Sequence, residues 1–150
     1  YLLEALRQIK GKIPFVCKVV GSLEIKPERI AEYSDICDFV GTIPRSQVKD
    51  LYAWADVFVL PSICEGSAMV TYEALSLSVP VVTTYNSGSI VRDAIDGFVV
   101  PIRDAEAIAD KLIKIYIIGN DSERRVNTQE YLKQVLKDSD NKLLQTVSIQ

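Results

Sequence analysis

VFVLPSICEGSAMVTYEALSLSVPVVTTY, residues 57–85, decides the fold. VFVLP (57–61) is apolar at every position up to its proline. SAMVTYEALSLS (67–78) follows with a helix-like pattern, and VPVVTTY (79–85) returns to an apolar, β-branched run. Strand, helix and strand in that order make a βαβ unit, whose strands lie parallel. Strands without a polar face are expected where helices cover both sides of a sheet.

The same alternation continues outward. Upstream, PFVCKVVG (14–21) reads as a strand, KPERIAEYS (26–34) as a helix and ICDFVG (36–41) as a strand. RSQVKDLYAWA (45–55) is a helix with Val48, Leu51, Tyr52 and Ala55 on one face, and Trp54 is assigned to the core. Downstream, NSGSIVRDAID (86–96) reads as a loop with a short helix, FVVP (98–101) as a strand and DAEAIADKLIKIYI (104–117) as a helix. Asp104 is its expected N-cap, with Glu106 in the first turn. SERRVNTQEYLKQVLKD (122–138) looks helical, and NKLLQTVSI (141–149) has no decisive pattern. The chain opens inside a helix, YLLEALRQIKGK (1–12), as though sequence precedes it. Neither a repeat nor a linker interrupts the 150 residues, so a single α/β domain is expected, a Rossmann-like parallel sheet with helices on both faces.

Composition narrows the chemistry. With 48% hydrophobic and 25% charged residues, this is an ordinary globular balance. A net charge of −3 argues against nucleic acid, which calls for a basic face. No apolar run reaches the roughly 18 residues of a membrane span. Cys17, Cys37 and Cys64 match no zinc spacing and read as reduced structural thiols in a cytoplasmic chain. Histidine is absent, so neither a Ser–His or Cys–His nucleophile nor a histidine metal site can be built, and no metal is expected. Chemistry must rest on carboxylates, backbone amides or groups from another domain.

In such a sheet, ligands sit beyond the carboxyl ends of the strands. Gly21–Glu24, Gly41–Pro44, Pro61–Ser67 and Thr84–Ser89 fall on that rim. If the helix starts near Ser67, the amides of Ser67, Ala68, Met69 and Val70 lack intrahelical acceptors and can hold an anion such as phosphate. Gly66 allows close approach and whatever φ the turn demands. Glu65 reaches over the same spot from outside, and Glu73, about two turns in, can accept two hydrogen bonds from a ribose diol. Carboxylates on both sides of an anion site suit a molecule with hydroxyls at its ends and phosphate in its middle, the layout of a nucleotide-sugar. A plain N-cap at Ser67 and a solvated Glu73 would explain less. Met69, Val70, Tyr72, Ala74 and Leu75 crowd Glu73 with mostly apolar positions.

ADVFVLPSICEGSAMVTYEALSLSVPVVTTYNSG (55–88) resembles the signature of family 4 retaining glycosyltransferases. VGTIPRSQVKDLYAWAD (40–56) and DGFVVPIRDAEAIADKL (96–112) fit it too, and the likeness runs from Val16 to Ile115. Members of that family have two Rossmann-like domains (the GT-B fold) with the active site between them. The resemblance implies that this chain is the carboxy-terminal, donor-binding half, inactive alone. It further implies an acceptor-binding half outside the chain, which would hold a glycan, lipid or small molecule and make any peripheral membrane contact. Glu65 matches the glutamate that contacts the donor sugar near its anomeric centre, and Glu73 the one that holds the ribose. The amides from Ser67 to Val70 match the phosphate-binding turn, and Thr42 and Ile43 the loop beside the base. The implied substrate is a UDP- or GDP-linked sugar, with no separate cofactor. In the family picture the acceptor hydroxyl attacks on the face the phosphate leaves from, and that phosphate takes its proton.

Three departures stand out. Ala68 replaces a frequent glycine, which would narrow the sugar pocket, and Ser78 replaces another before VPVV. The family's basic arginine and lysine on the first strand-to-helix segment have no match. Gly21–Ser22 reads as a strand-ending turn, and Asn86–Ser89 as either a phosphate contact or a turn. Arg45, Lys49, Arg92 and Arg103 read as solvated or paired at strand edges. Two other activities compete: a GT-B sugar-nucleotide isomerase, such as a UDP-N-acetylglucosamine 2-epimerase, and a non-catalytic subunit that binds nucleotide-sugar.

Overall fold

The computed structural model describes residues 1–119; the segments 122–138 and 141–149 lie outside them. Helix α1 (Leu2–Ile9) leads into β1 (Lys18–Val20), α2 (Pro27–Tyr33) and β2 (Asp38–Gly41). Next come α3 (Arg45–Trp54), β3 (Phe58–Leu60), α4 (Met69–Ser76) and β4 (Val81–Thr84). A 3₁₀ turn (Tyr85–Ser87), β5 (Gly97–Val100) and α5 (Ala105–Gly119) complete the order. Every pairing is parallel, with β1 beside β2 and β3, β4 and β5 in that order. Among the described residues these are two hydrogen-bonded sheets, so β1 and β3 each pair along one edge.

Both sheets feed a common core. Val82 of β4 and Val100 of β5 pack with Ala5, Leu6 and Ile9 of α1, Tyr33 at the end of α2 and Ile108 and Leu112 of α5, and Val19 of β1 leans on the same cluster. Val81, one residue along, faces the other way, against Tyr52 of α3 and Ala74 and Leu75 of α4. That alternation is the period of two by which a strand serves opposite faces. β4, with the sequence VVTT, is buried at all four positions, as expected of a strand with helices over both faces. β1 and β2 correct the same expectation. Val19 and Phe39 turn inward, while Lys18, Val20, Asp38 and Val40 are exposed, so among the described residues these two strands are covered on one face.

Local signals explain several boundaries. Pro27 opens α2, where its missing N–H costs nothing. Asp104 caps α5 as expected, its Oδ1 accepting the Ala107 amide at 2.8 Å. Trp54 is not a core residue. It sits in the last turn of α3, 46% exposed, with Lys18 Nζ 4.4 Å from its ring centroid, a cation–π contact joining α3 to β1. Residues 88–96 contain no α-helix. There the Asp96 carboxylate, 2% exposed, takes two hydrogen bonds of 2.7 Å from the Arg92 guanidinium and one from the Arg92 amide, and it shapes the loop instead.

The end of α4 shows what Ser78 does. Val79 N–H donates to Ala74 O and Ser78 N–H to Leu75 O, the Schellman pattern. That motif puts its C′ residue in the left-handed region, and Ser78 has φ +60°. A non-glycine residue there carries strain of about 1–2 kcal/mol. Ser78→Gly is therefore expected to raise stability, by roughly 0.5–1 kcal/mol once the freer unfolded chain is counted. A rise in Tm in a thermal melt checks it.

Candidate functional site

The carboxyl ends of β3 and β4 build one tight structure from two chain segments. Thr83 Oγ1 donates to Leu60 O and Thr84 Oγ1 to Ser62 O, which fastens the tops of the strands together. Beyond them the Glu65 amide donates to Asn86 O at 2.9 Å and the Ala68 amide to Ser87 O at 3.1 Å. Asn86 and Ser87 thus brace the turn from below through their carbonyls, and Ser89 Oγ accepts the Val91 amide within its own loop. Gly88 makes the bracing possible. It adopts φ +62°, and a Cβ there would lie 2.4 Å from Gly66 O. The glycine demanded by geometry is therefore Gly88. Gly66 has no left-handed φ and faces open space, so the backbone of its own turn does not demand glycine.

Helix α4 begins at Met69, two residues later than expected, with Ala68 at its N-cap. Thr71 explains this start. It is fully buried, and both its hydroxyl (2.7 Å) and its amide (2.9 Å) donate to Ala68 O. Met69 N–H turns back to Ser67 O at 3.0 Å. Of the four amides read as an anion site, Ala68 and Met69 thus have protein acceptors, while Ser67 and Val70 have none among the described residues. Ala68 is fully buried, so its methyl packs into the protein.

The two glutamates sit differently. Glu65 is exposed, and its Oε2 accepts Ser62 Oγ at 2.9 Å, which sets its direction without burying its charge. Glu73 is half-buried on α4, with Oε2 3.5 Å from the Tyr52 hydroxyl and Oε1 4.0 Å from Arg45 Nη2. The Tyr52 hydroxyl makes its shorter bond, 3.0 Å, to Val70 O. Burial first, and the Glu73 carboxylate second, push that hydroxyl up to about 12, so it remains a neutral donor at physiological pH. Arg45 is 96% exposed, so its long contact with Glu73 is screened and contributes little.

Thr42 and Ile43 leave the end of β2 and run into α3, whose Arg45 and Tyr52 are the residues that approach Glu73. One helix thus links the Thr42 loop to the glutamate. Thr42 is exposed and Ile43 half-buried. Sequence reasoning missed the Tyr52 hydroxyl, reading only the residue's place on one face of its helix, and Ser62. It also passed over Tyr85, 79% exposed beside the turn. A Ser-x-x-Glu spacing was the available clue to the Ser62–Glu65 bond. An open cleft of about 910 Å³ lies at the amino ends of β1 and β2 and holds none of these residues.

Parallel strands alternating with helices are the arrangement of a Rossmann-like α/β domain. The model of the family described as glycosyl transferases group 1 matches residues 1–137. The chain belongs to that family. It is 31% identical, over 97% of its length, to WcaL of Salmonella typhimurium, named for colanic acid biosynthesis as a glycosyltransferase. The chain spans 41% of that relative's length. Among solved structures, Anabaena Alr3699/HepE in complex with UDP superposes with a TM-score of 0.71 at 20% identity, over 98% of this chain and 44% of the other. The catalytic domain of a cholesterol-alpha-glucosyltransferase from Helicobacter pylori also gives 0.71 at 20% identity, over 91% of this chain and 87% of that one. These likenesses establish the fold, a GT-B-type Rossmann-like domain.

Proposed function

We propose that this chain is the donor-binding part of a retaining glycosyltransferase that moves a hexose from a nucleoside-diphosphate sugar to a glycan, lipid or small-molecule acceptor. The observation that carries the reading is the placement of Glu65 and Glu73 on either side of the Gly66–Val70 turn, at the carboxyl rim of a parallel sheet. The UDP held by the structurally similar Anabaena protein supports it. In this reading the Ser67 and Val70 amides face the diphosphate, Glu73 accepts from the ribose hydroxyls, and Thr42 and Ile43 lie beside the base. Glu65 faces the sugar. The acceptor oxygen bonds to the anomeric carbon as the carbon–phosphate oxygen bond breaks, and the leaving phosphate takes the hydroxyl proton. No protein base is required, which agrees with a chain that has no histidine. The acceptor site is assigned to a part of the protein outside this chain, as is any membrane association. No described helix is long and apolar enough to cross a membrane.

UDP added to the isotope-labelled chain should shift the amide signals of Thr42, Ile43 and Ser67 through Glu73 first, with affinity in the high-micromolar to millimolar range. Glu73→Ala should weaken that binding about ten-fold or more, because a hydrogen bond to a charged group contributes roughly 1.5–3 kcal/mol. Its melting temperature should stay near wild type, since the Tyr52 hydroxyl keeps its bond to Val70 O. Shifts confined to residues 120–150, or unchanged UDP affinity in folded Glu73→Ala, would reject the site.

A further inference from the structure

At the opposite end of the sheet, Cys17 stands immediately before β1 and Cys37 immediately before β2. Lys18 is in register with Asp38, so the two cysteines are direct neighbours across the strands, and the Asp38 amide donates to Cys17 O at 2.8 Å. Their sulfurs lie 3.2 Å apart, and neither is in a disulfide. Both residues line the open cleft of about 910 Å³, with Lys10, Lys12 and Phe15 around them. We propose that Cys17 and Cys37 are a reversible dithiol–disulfide pair, closed by a hydroperoxide that reaches them through this cleft.

Distance and register favour closure. The sulfurs must approach by roughly 1 Å to reach the disulfide length of about 2.05 Å, and the paired strands already hold the two backbones side by side. The hydrogen bond with Cys37, then burial, push the Cys17 thiol up, whereas the bond with Cys17 holds Cys37 below its ordinary value against burial and the nearby Asp38. Cys37 is thus the better nucleophile, because the thiolate is the reacting form. Its sulfur attacks the peroxide: an S–O bond forms, the O–O bond breaks, and the departing alkoxide takes a proton from solvent to leave as an alcohol (water, for hydrogen peroxide). Cys17 sulfur then attacks the sulfenic acid. An S–S bond forms, the S–O bond breaks, and hydroxide leaves with the Cys17 proton as water. Two thiols are oxidised by two electrons and the peroxide is reduced by two. Exposed Cys64, on the other rim, lacks such a partner and serves as an internal control.

The test treats reduced full-length protein with hydrogen peroxide, blocks remaining thiols by alkylation and maps peptides without reduction. The expected result is an intramolecular Cys17–Cys37 peptide pair two hydrogens lighter than its reduced form and reopened by dithiothreitol, with Cys64 outside any such pair. In Cys17→Ser the resolving thiol is gone, so dimedone trapping at Cys37 should exceed wild type at least five-fold. Peroxide modification of Cys64 with no Cys17–Cys37 peptide, or a linkage found only between chains, overturns the proposal. If the serine variant fails to fold, the wild-type peptide map decides alone.

Discussion

If the proposed function holds, Glu65→Ala is expected to lower turnover of the full-length protein by at least a hundred-fold while leaving UDP affinity within about two-fold, the scale of losing one group aimed at developing charge. Structure and role separate cleanly here. The side chain is exposed and touches Ser62 Oγ at 2.9 Å, while its backbone amide, which the substitution keeps, is what ties the turn to Asn86 O. Stability should therefore not change, because neither core packing nor a buried polar group is disturbed. If Glu65 faces the sugar and not the nucleotide, binding of UDP alone does not report on it. On the proposed reading Glu73→Ala should behave inversely, losing UDP affinity at the ribose. Assays of both variants on one preparation, turnover beside UDP titration, check the division of labour. Turnover of Glu65→Ala within ten-fold of wild type would remove it from the reacting centre, and equal loss of UDP affinity in both variants would show that the two carboxylates act on one group.

The parts of this molecule that rest on periodicity are legible in its residues alone. The apolar run at 57–61 and the β-branched run at 79–85 announced parallel strands, and Asp104 announced a helix start, because both signals act within a few residues. The Glu65–Gly66–Ser67 turn was legible as a rim feature for the same reason. What the turn rests on was not. Asn86 and Ser87 brace it from 19 or more positions away through carbonyls, which every residue possesses and no residue type betrays. Tyr52 was readable as apolar, but its hydroxyl finds Val70 and Glu73 only after α3 and α4 pack together. Trp54 misled because hydrophobicity says nothing about a lysine crossing the ring from another strand. The start of α4 was missed by two residues because the buried Thr71 hydroxyl, and not Ser67, sets it.

That long-range bracing makes Gly88 the most vulnerable position of the site. Gly88→Ala should reduce full-length turnover by a hundred-fold or more, since a displacement near 1 Å at a reacting site costs on that order. Two effects act together. At φ +62° a Cβ adds strain of about 1–2 kcal/mol. The same atom would meet Gly66 O at 2.4 Å, Gly66 C at 2.9 Å and Ser67 Cα at 3.1 Å. All three are backbone atoms, so no side chain can swing aside, and the turn carrying Glu65 and the Ser67 amide must lift off Asn86 and Ser87. The sheet should survive, because Val81 and Val82 lie below in separate clusters. Gly66→Ala is the companion variant. Its Cβ enters open space at an ordinary φ, so folding and the bracing bonds should be unchanged, and any loss of UDP-sugar affinity would come from the ligand's own need for that space. Amide spectra of the two variants without ligand separate the mechanisms: displaced Glu65 and Ala68 signals are expected in Gly88→Ala, and an undisturbed turn in Gly66→Ala. A Gly88→Ala protein with wild-type turnover would mean that the turn does not hold the reacting groups.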